Sequence, residues 1–165
     1  MVVIRPAGAA DVEVLVDALL AAANWDGTER QRRDQVTGSR YVVGWQRPDD
    51  FGVVAEDESG VGVGAAWFRY LPADDPGYGF VAPDVPELTI GLTVEARGRG
   101  VGAALLSELL VMADARGCRA VSLSVEDGNA ARRLYERSGF VRVGRNGGSD
   151  TLVRTAAPGP GAATA

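Results

Sequence analysis

Apolar residues recur along this chain with two different periods, and the change of period marks its elements. Helical spacing runs through 11–23, DVEVLVDALLAAA, where Val12, Leu15, Val16, Leu19, Ala22 and Ala23 share one side and Asp11 stands as the N-cap. It returns over 98–116, with Val101, Leu105, Leu109 and Met112 on one side, and over 129–139, NAARRLYERSG, which Gly139 terminates. The polar stretch 28–36, TERQRRDQV, predicts a surface helix. Short strand-like runs are VVIR at 2–5, FGVVAED and VGVGAAWFRYL around the turn ESG at 58–60, ELTIGLTV at 87–94 and AVSLSV at 120–125. FVRVG and DTLVR flank a last turn, NGG, at 146–148. Four prolines make 72–86 a loop, and the small, Pro/Gly-rich residues 156–165 predict a disordered tail. Residues 87–125 therefore form a βαβ unit with antiparallel hairpins on either side, an α/β arrangement with a mixed sheet.

The turn inside that unit carries the most informative residues. VEARGRGVGAALL, at 94–106, places Gly98, Gly100 and Gly102 at alternate positions beside Arg97 and Arg99. In a βαβ unit the helix N-terminus offers amides without intrahelical acceptors and a partial positive charge. Glycines let an anion come close to those amides, so the segment predicts a phosphate site. A loop that merely needs positive φ angles would also explain the glycines. GRGVGA satisfies the dinucleotide fingerprint G-x-G-x-x-G/A as well, but Glu95, Ala96 and Arg97 separate it from the strand. Glu126, the acid available for a ribose, lies too far beyond Gly98 for that reading.

Composition narrows the chemistry. All 17 basic residues are arginine, and the chain holds no histidine. Histidine-based nucleophilic catalysis, lysine Schiff bases and the lysine of a Walker loop are thereby excluded. The formal charge of −5 is uneven: residues 1–82 carry net −6, and 83–165 carry net +1. An acidic chain without a basic face speaks against nucleic acid as a partner. No stretch has the length of a membrane span or the pattern of a signal peptide, and one cysteine, Cys118, suits a reducing compartment. A cytoplasmic location is the expectation. Cys118 follows Gly117 at the far end of the helix and reads as a buried, inert thiol.

RGRGVGAALL, preceded by ELTIGLTV and followed by SLSVEDGNAARRLYERSGF, resembles the GNAT superfamily of acyl-CoA N-acyltransferases. Its pattern Q/R-x-x-G-x-G/A is matched by Arg97, Gly100 and Gly102. The later pattern N-x-x-A-x-x-L-Y-x-x-x-G-F is matched at Asn129, Tyr135, Gly139 and Phe140, with Arg132 in place of its alanine and Ala130 and Ala131 nearby. The resemblance covers about 87–140 and implies one domain over 1–155. Its sheet would be mixed and mostly antiparallel around a central parallel βαβ unit, with helices on both faces.

The resemblance also implies roles. Acetyl-CoA would be the co-substrate, its pyrophosphate held by Arg97, Gly98 and the amides of Arg99, Gly100, Val101, Gly102 and Ala103. Its pantetheine arm would pair with Leu92, Thr93 and Val94 like an added strand and meet the Asn129 amide. Gly91 would supply a bulge that starts a splay between the two parallel strands. Tyr135 would be the general acid for the departing thiolate, and Glu87 the base, directly or through water. Other members place a glutamate five residues before the asparagine, a position held here by Ser124. The acceptor would be a primary amine of a small molecule or a peptide, in a pocket built by 24–45 and 72–86. Trp25, Tyr41, Trp45, Tyr78 and Phe80 could clasp it, and Asp74 or Asp75 attract its charge. The resemblance allows a homodimer. A non-catalytic acyl-CoA-binding module is the alternative that keeps the glycine turn.

Overall fold

The computed structural model describes residues 1–156; of the tail expected over 156–165, Ala156 donates its N–H to Arg119 O at 2.9 Å and the rest lies outside the described residues. Seven strands form one sheet, β1 (Val3–Pro6), β2 (Phe51–Glu56), β3 (Gly62–Arg69), β4 (Glu87–Leu92), β5 (Ala120–Glu126), β6 (Val141–Asn146) and β7 (Ser149–Thr155), in the order β1-β2-β3-β4-β5-β7-β6. Every neighbouring pair is antiparallel except β4–β5. The helices are α1 (Val12–Ala23), α2 (Arg33–Thr37), α3 (Val101–Ala115) and α4 (Ala131–Arg137).

Strand alternation sends successive residues to opposite faces, and both faces are covered. Phe51, Val53, Ala55, Ala66, Phe68 and Leu88 join Leu105, Leu106 and Leu109 of α3 in one core. Val54, Ala65 and Trp67 join Leu15, Val16 and Leu19 of α1 in the other. Coverage on both sides explains why β2 is apolar almost throughout, without the polar alternation of a half-exposed strand.

Several expectations shift at their edges for local reasons. Asp11 precedes α1, but its carboxylate takes the Gly8 N–H at 2.6 Å and both Arg5 Nη atoms at 2.8 Å, and does not cap the helix. Only Arg33–Thr37 of the surface helix forms; residues 26–32 are a turn in which Asp26 Oδ1 accepts the Thr28 N–H. The fourth strand ends at Leu92, and Val94 belongs to a 3-10 turn over Val94–Ala96. Helix α3 starts at Val101, because Gly98 and Gly100 have φ of +73° and +79°. Two of the turn's glycines, Gly98 and Gly100, thus serve the backbone, whereas Gly102 lies inside the helix.

Gly91 makes no bulge. β4 pairs with β3 without a register shift from Arg69↔Glu87 to Gly64↔Leu92. A Cβ at Gly91 would lie 1.8 Å from the carbonyl oxygen of Ala18, so glycine is needed there for α1 to rest directly on the strand.

Candidate active site

The parallel pair β4–β5 has a single registered partnership, Glu87↔Ser122, locked by Ser122 N–H to Pro86 O at 3.0 Å. Beyond it the strands part towards their carboxyl ends. The gap belongs to a cleft of about 990 Å³ lined on one side by Leu88–Leu92 and on the other by Leu123–Glu126. A splay without a bulge follows from the neighbours: β4 stays with β3, and β5 with β7 over seven registered residues.

Gly98 and Gly102 line the cleft's outer end. The first α3 bond, Ala104 N–H to Gly100 O at 3.0 Å, leaves the amides of Val101, Gly102 and Ala103 without helical acceptors. Cβ atoms at Gly98 or Gly100 would meet nothing within 4 Å, so the turn is open above its backbone. Arg97 also lines the cleft, and its guanidinium reaches the Ala21 and Trp25 carbonyls at 3.4 Å, near the end of α1. Leu92 is a wall residue, whereas Thr93 donates its N–H to Val63 O at 2.9 Å and Val94 is exposed.

Glu87 sits where the strands part and is 4% exposed. Its Oε1 accepts the Gly79 N–H at 2.8 Å. Burial raises its carboxyl above the ordinary glutamate range, and the Tyr41 hydroxyl, the Gly79 N–H and the Arg40 charge oppose that rise. Tyr41 accepts the Tyr78 N–H at 2.8 Å on its hydroxyl, and burial pushes that phenol up as well. Two glycines make this arrangement possible. A Cβ at Gly77 would fall 2.5–2.6 Å from the Glu87 carboxylate and the Tyr41 hydroxyl, and one at Gly79 would fall 2.5 Å from the Leu123 backbone. The loop 72–86, read from sequence for its aromatics and acids, contributes mainly the close approach of PGYG to the cleft.

Tyr135 reaches the cleft from the opposite face, packed edge-on against Phe140 at 6.1 Å. Burial pushes its phenol up to about 12, so it is protonated at neutral pH. Asn129 lines the cleft beside it, and its Oδ1 holds the Ala131 N–H at 3.0 Å, which orients the side-chain amide. Ala131 packs against the core, while Arg132 turns outward to Asp150 at 2.6 Å and Glu136 at 2.9 Å. The small position of the α4 pattern is therefore Ala131. Counting back from Ala131, the pattern's asparagine position is Gly128, one residue before Asn129.

Of the expected acceptor residues, Trp25, Tyr41 and Tyr78 line the cleft. Trp45 instead packs against the α1 core with its indole N–H on Gly8 O at 3.0 Å, and Phe80 lies on a separate groove with Val143 and Thr151. Neither Asp74 nor Asp75 reaches the cleft; Asp75 pairs with Arg40 at 3.0 Å. Sequence reasoning missed the strap formed by Trp25, Arg30 and Glu126. The Trp25 indole donates to Glu126 Oε2 at 3.0 Å, Arg30 pairs with the same oxygen, and the guanidinium lies 5.6 Å from the Trp25 ring centroid. It ties the end of α1 to the tip of β5 across the parted strands. Its partners are a hundred residues apart, and no local pattern announces it.

The GNAT acetyltransferase family model matches residues 18–140. A mycothiol acetyltransferase from Beutenbergia cavernae is 36% identical over 100 residues, 60% of this chain and 31% of that protein. The chain thus spans about a third of the length of the curated relatives it matches. Among solved structures, a ribosomal-protein-alanine N-acetyltransferase from Brucella melitensis superposes with a TM-score of 0.67 at 27% identity, over 93% of this chain and 99% of that one. A phosphinothricin acetyltransferase from Sinorhizobium meliloti in complex with AcCoA gives 0.68 at 24% identity, over 96% and 90%. No helix among the described residues is long and apolar enough to cross a membrane. With the match extending from the second half of α1 through the parted parallel strands and the glycine turn to α4, the chain belongs to the GNAT acetyltransferase family.

Proposed function

We propose that this protein transfers an acetyl group from acetyl-CoA to a primary amine by direct attack within a ternary complex. The observation that carries the reading is the parted β4–β5 pair, with a buried carboxylate on one face of the sheet and a protonated phenol on the other. A thioester threaded through the gap has its carbonyl between the two. Solved structures of similar fold in complex with acetyl-CoA or coenzyme A support the choice of co-substrate.

The chain's own groups divide the work. The free amides of Val101, Gly102 and Ala103 and the helix dipole hold the pyrophosphate, with Arg97, Gly98, Arg99 and Gly100 around it. The outer part of β4, around Leu92, offers backbone groups to the pantetheine, and the Asn129 amide meets it from the turn before α4. Glu87, directly or through Tyr41 and water, takes a proton from the incoming ammonium. The neutral amine attacks the thioester carbon, the C–N bond forms and the C–S bond breaks. Tyr135 donates to the sulfur as charge develops there. Full proton transfer from a phenol near 12 to a thiolate of ordinary pKa, about 8.5, runs uphill, so the hydrogen bond to the transition state is its main contribution.

Two variants test the two ends of the cleft. Gly102→Glu is tolerated by the fold, since a Cβ there meets only Leu92 and Leu134 at 3.5 Å and 3.7 Å. Its carboxylate at the α3 N-terminus lowers coenzyme A affinity about tenfold or more by calorimetry, roughly the 1.4 kcal/mol that a lost anion contact is worth. Unaltered affinity would remove the pyrophosphate assignment. Tyr135→Phe lowers kcat by about 10–100-fold while coenzyme A affinity stays within twofold, the pattern of a contact made only in the transition state. The function itself is checked by thiol release from acetyl-CoA across a panel of amines. Coenzyme A binding without release for any amine would favour the non-catalytic alternative.

The protein would work as a cytoplasmic enzyme, alone or as a homodimer, and needs no nucleic-acid or membrane partner for this chemistry.

A further inference from the structure

The cleft as a whole has a charge pattern that selects among amines. Two carboxylates line it, Glu87 and Glu126, and Glu126 is already engaged by the Trp25 indole and the Arg30 guanidinium. Three arginines line it as well. Arg30 is paired with both Asp26 and Glu126, and Arg97 reaches carbonyls near the end of α1. Arg40 differs. Only its Nε is bonded, to Asp75 at 3.0 Å, and among the described residues neither Nη has a partner. The backbone of Arg40 is fixed, because its carbonyl accepts from Arg69 Nη1 at 3.0 Å and the Trp67 indole holds the next carbonyl, of Tyr41, at 2.8 Å. A rigid segment thus presents a half-exposed guanidinium edge beside Tyr41, the neighbour of Glu87.

We propose that Arg40 is an oxyanion-binding residue of the acceptor site, and that the acceptor is a small primary amine carrying a carboxylate or an equivalent oxyanion. The amine nitrogen approaches Glu87 while the oxyanion accepts the two free Nη edges, the bidentate geometry a guanidinium favours. A polyamine or a polycationic sugar fits poorly: after one ammonium meets Glu87, no unengaged carboxylate among the described residues of the cleft awaits the second, and Arg40 repels it. The expectation that Asp74 or Asp75 would draw in a cation is reversed in sign, since Asp75 stays outside and orients Arg40. This inference rests on the acetyl-transfer reading for its kinetic readout only.

The test pairs α-amino acids with their carboxamides, adds spermidine, and reads thiol release from acetyl-CoA. Acids are expected to exceed their amides tenfold or more in kcat/KM, through KM. Arg40→Gln is expected to shrink that ratio below about twofold, and Arg40→Lys to restore part of it. An amide or spermidine equal to the acids, or a ratio that survives in Arg40→Gln, would overturn the proposal. Calorimetry of the same acids into protein saturated with coenzyme A separates the two readings. Acid binding that needs Arg40, without turnover, sinks acetyl transfer and leaves the oxyanion site standing; absence of acid binding to the loaded wild-type protein sinks the site. Coenzyme A affinity of each variant, read in the same instrument, reports that the cleft is intact.

Discussion

Glu87→Gln lowers kcat/KM by about 10²–10⁴-fold, the usual worth of a positioned general base, and flattens the rising limb of its pH profile. In the wild-type protein that limb is centred above the ordinary glutamate range, because burial disfavours the carboxylate. The sign for stability is opposite. A carboxyl raised in the folded state binds its proton more tightly there than in the unfolded chain, so its contribution is present below the unfolded pKa and is lost as pH rises through the folded one. The ionised Glu87 that the proposed base role requires therefore costs stability at neutral pH. Glutamine keeps the acceptor for the Gly79 N–H without the charge, and the variant melts at or above the wild-type temperature at neutral pH. Thermal scans across pH, beside kinetics, check both halves. A variant that is fully active, or one that is destabilised at neutral pH, contradicts the assignment.

The second large effect lies away from the chemistry. Arg69 and Asp50 form an ion pair with side chains 1% and 3% exposed, at 2.7 Å and 3.1 Å. The same guanidinium donates to the carbonyls of Arg40 and Val43. Arg69→Met leaves Asp50 as an uncompensated buried charge and two carbonyls without their donor. The expected loss is about 3–5 kcal/mol, against a total of roughly 5–15 kcal/mol for a domain of this kind. Urea unfolding at neutral pH measures it, and a loss below about 1 kcal/mol would mean that water reaches the pair. Arg69 also stands directly across from Glu87 in the β3–β4 register, so surviving Arg69→Met protein is expected to show a raised acceptor KM as the 40–43 turn loosens.

What the sequence disclosed follows the range over which each feature is determined. The stripe Val101, Leu105, Leu109 is a property of one helix, and it does face the core. The turn at 97–102 is local too, and its glycines have the conformations that such residues permit. The role of Gly91 is not local: the atom it makes room for belongs to Ala18, more than seventy residues earlier, and a bulge was the nearest explanation within reach of one strand. The environment of Glu87 likewise assembles Tyr41 and Gly79 from separate loops. Alternate glycines in PGYGF were a visible signal for a backbone pressed against something. The strap from Trp25 and Arg30 to Glu126 had no such signal, because single aromatic and charged residues in loops are usually solvated.

The lone rung between Glu87 and Ser122 divides the sheet into two leaves, β1–β4 and β5–β7, bound along a short spine. Side chains and overlying helices, not a ladder of backbone bonds, set the angle at which the leaves stand open. Any guest lying along both inner margins turns two leaves into one board. Occupancy would then be felt as stiffness out to β6, a strand with no residue on the cleft.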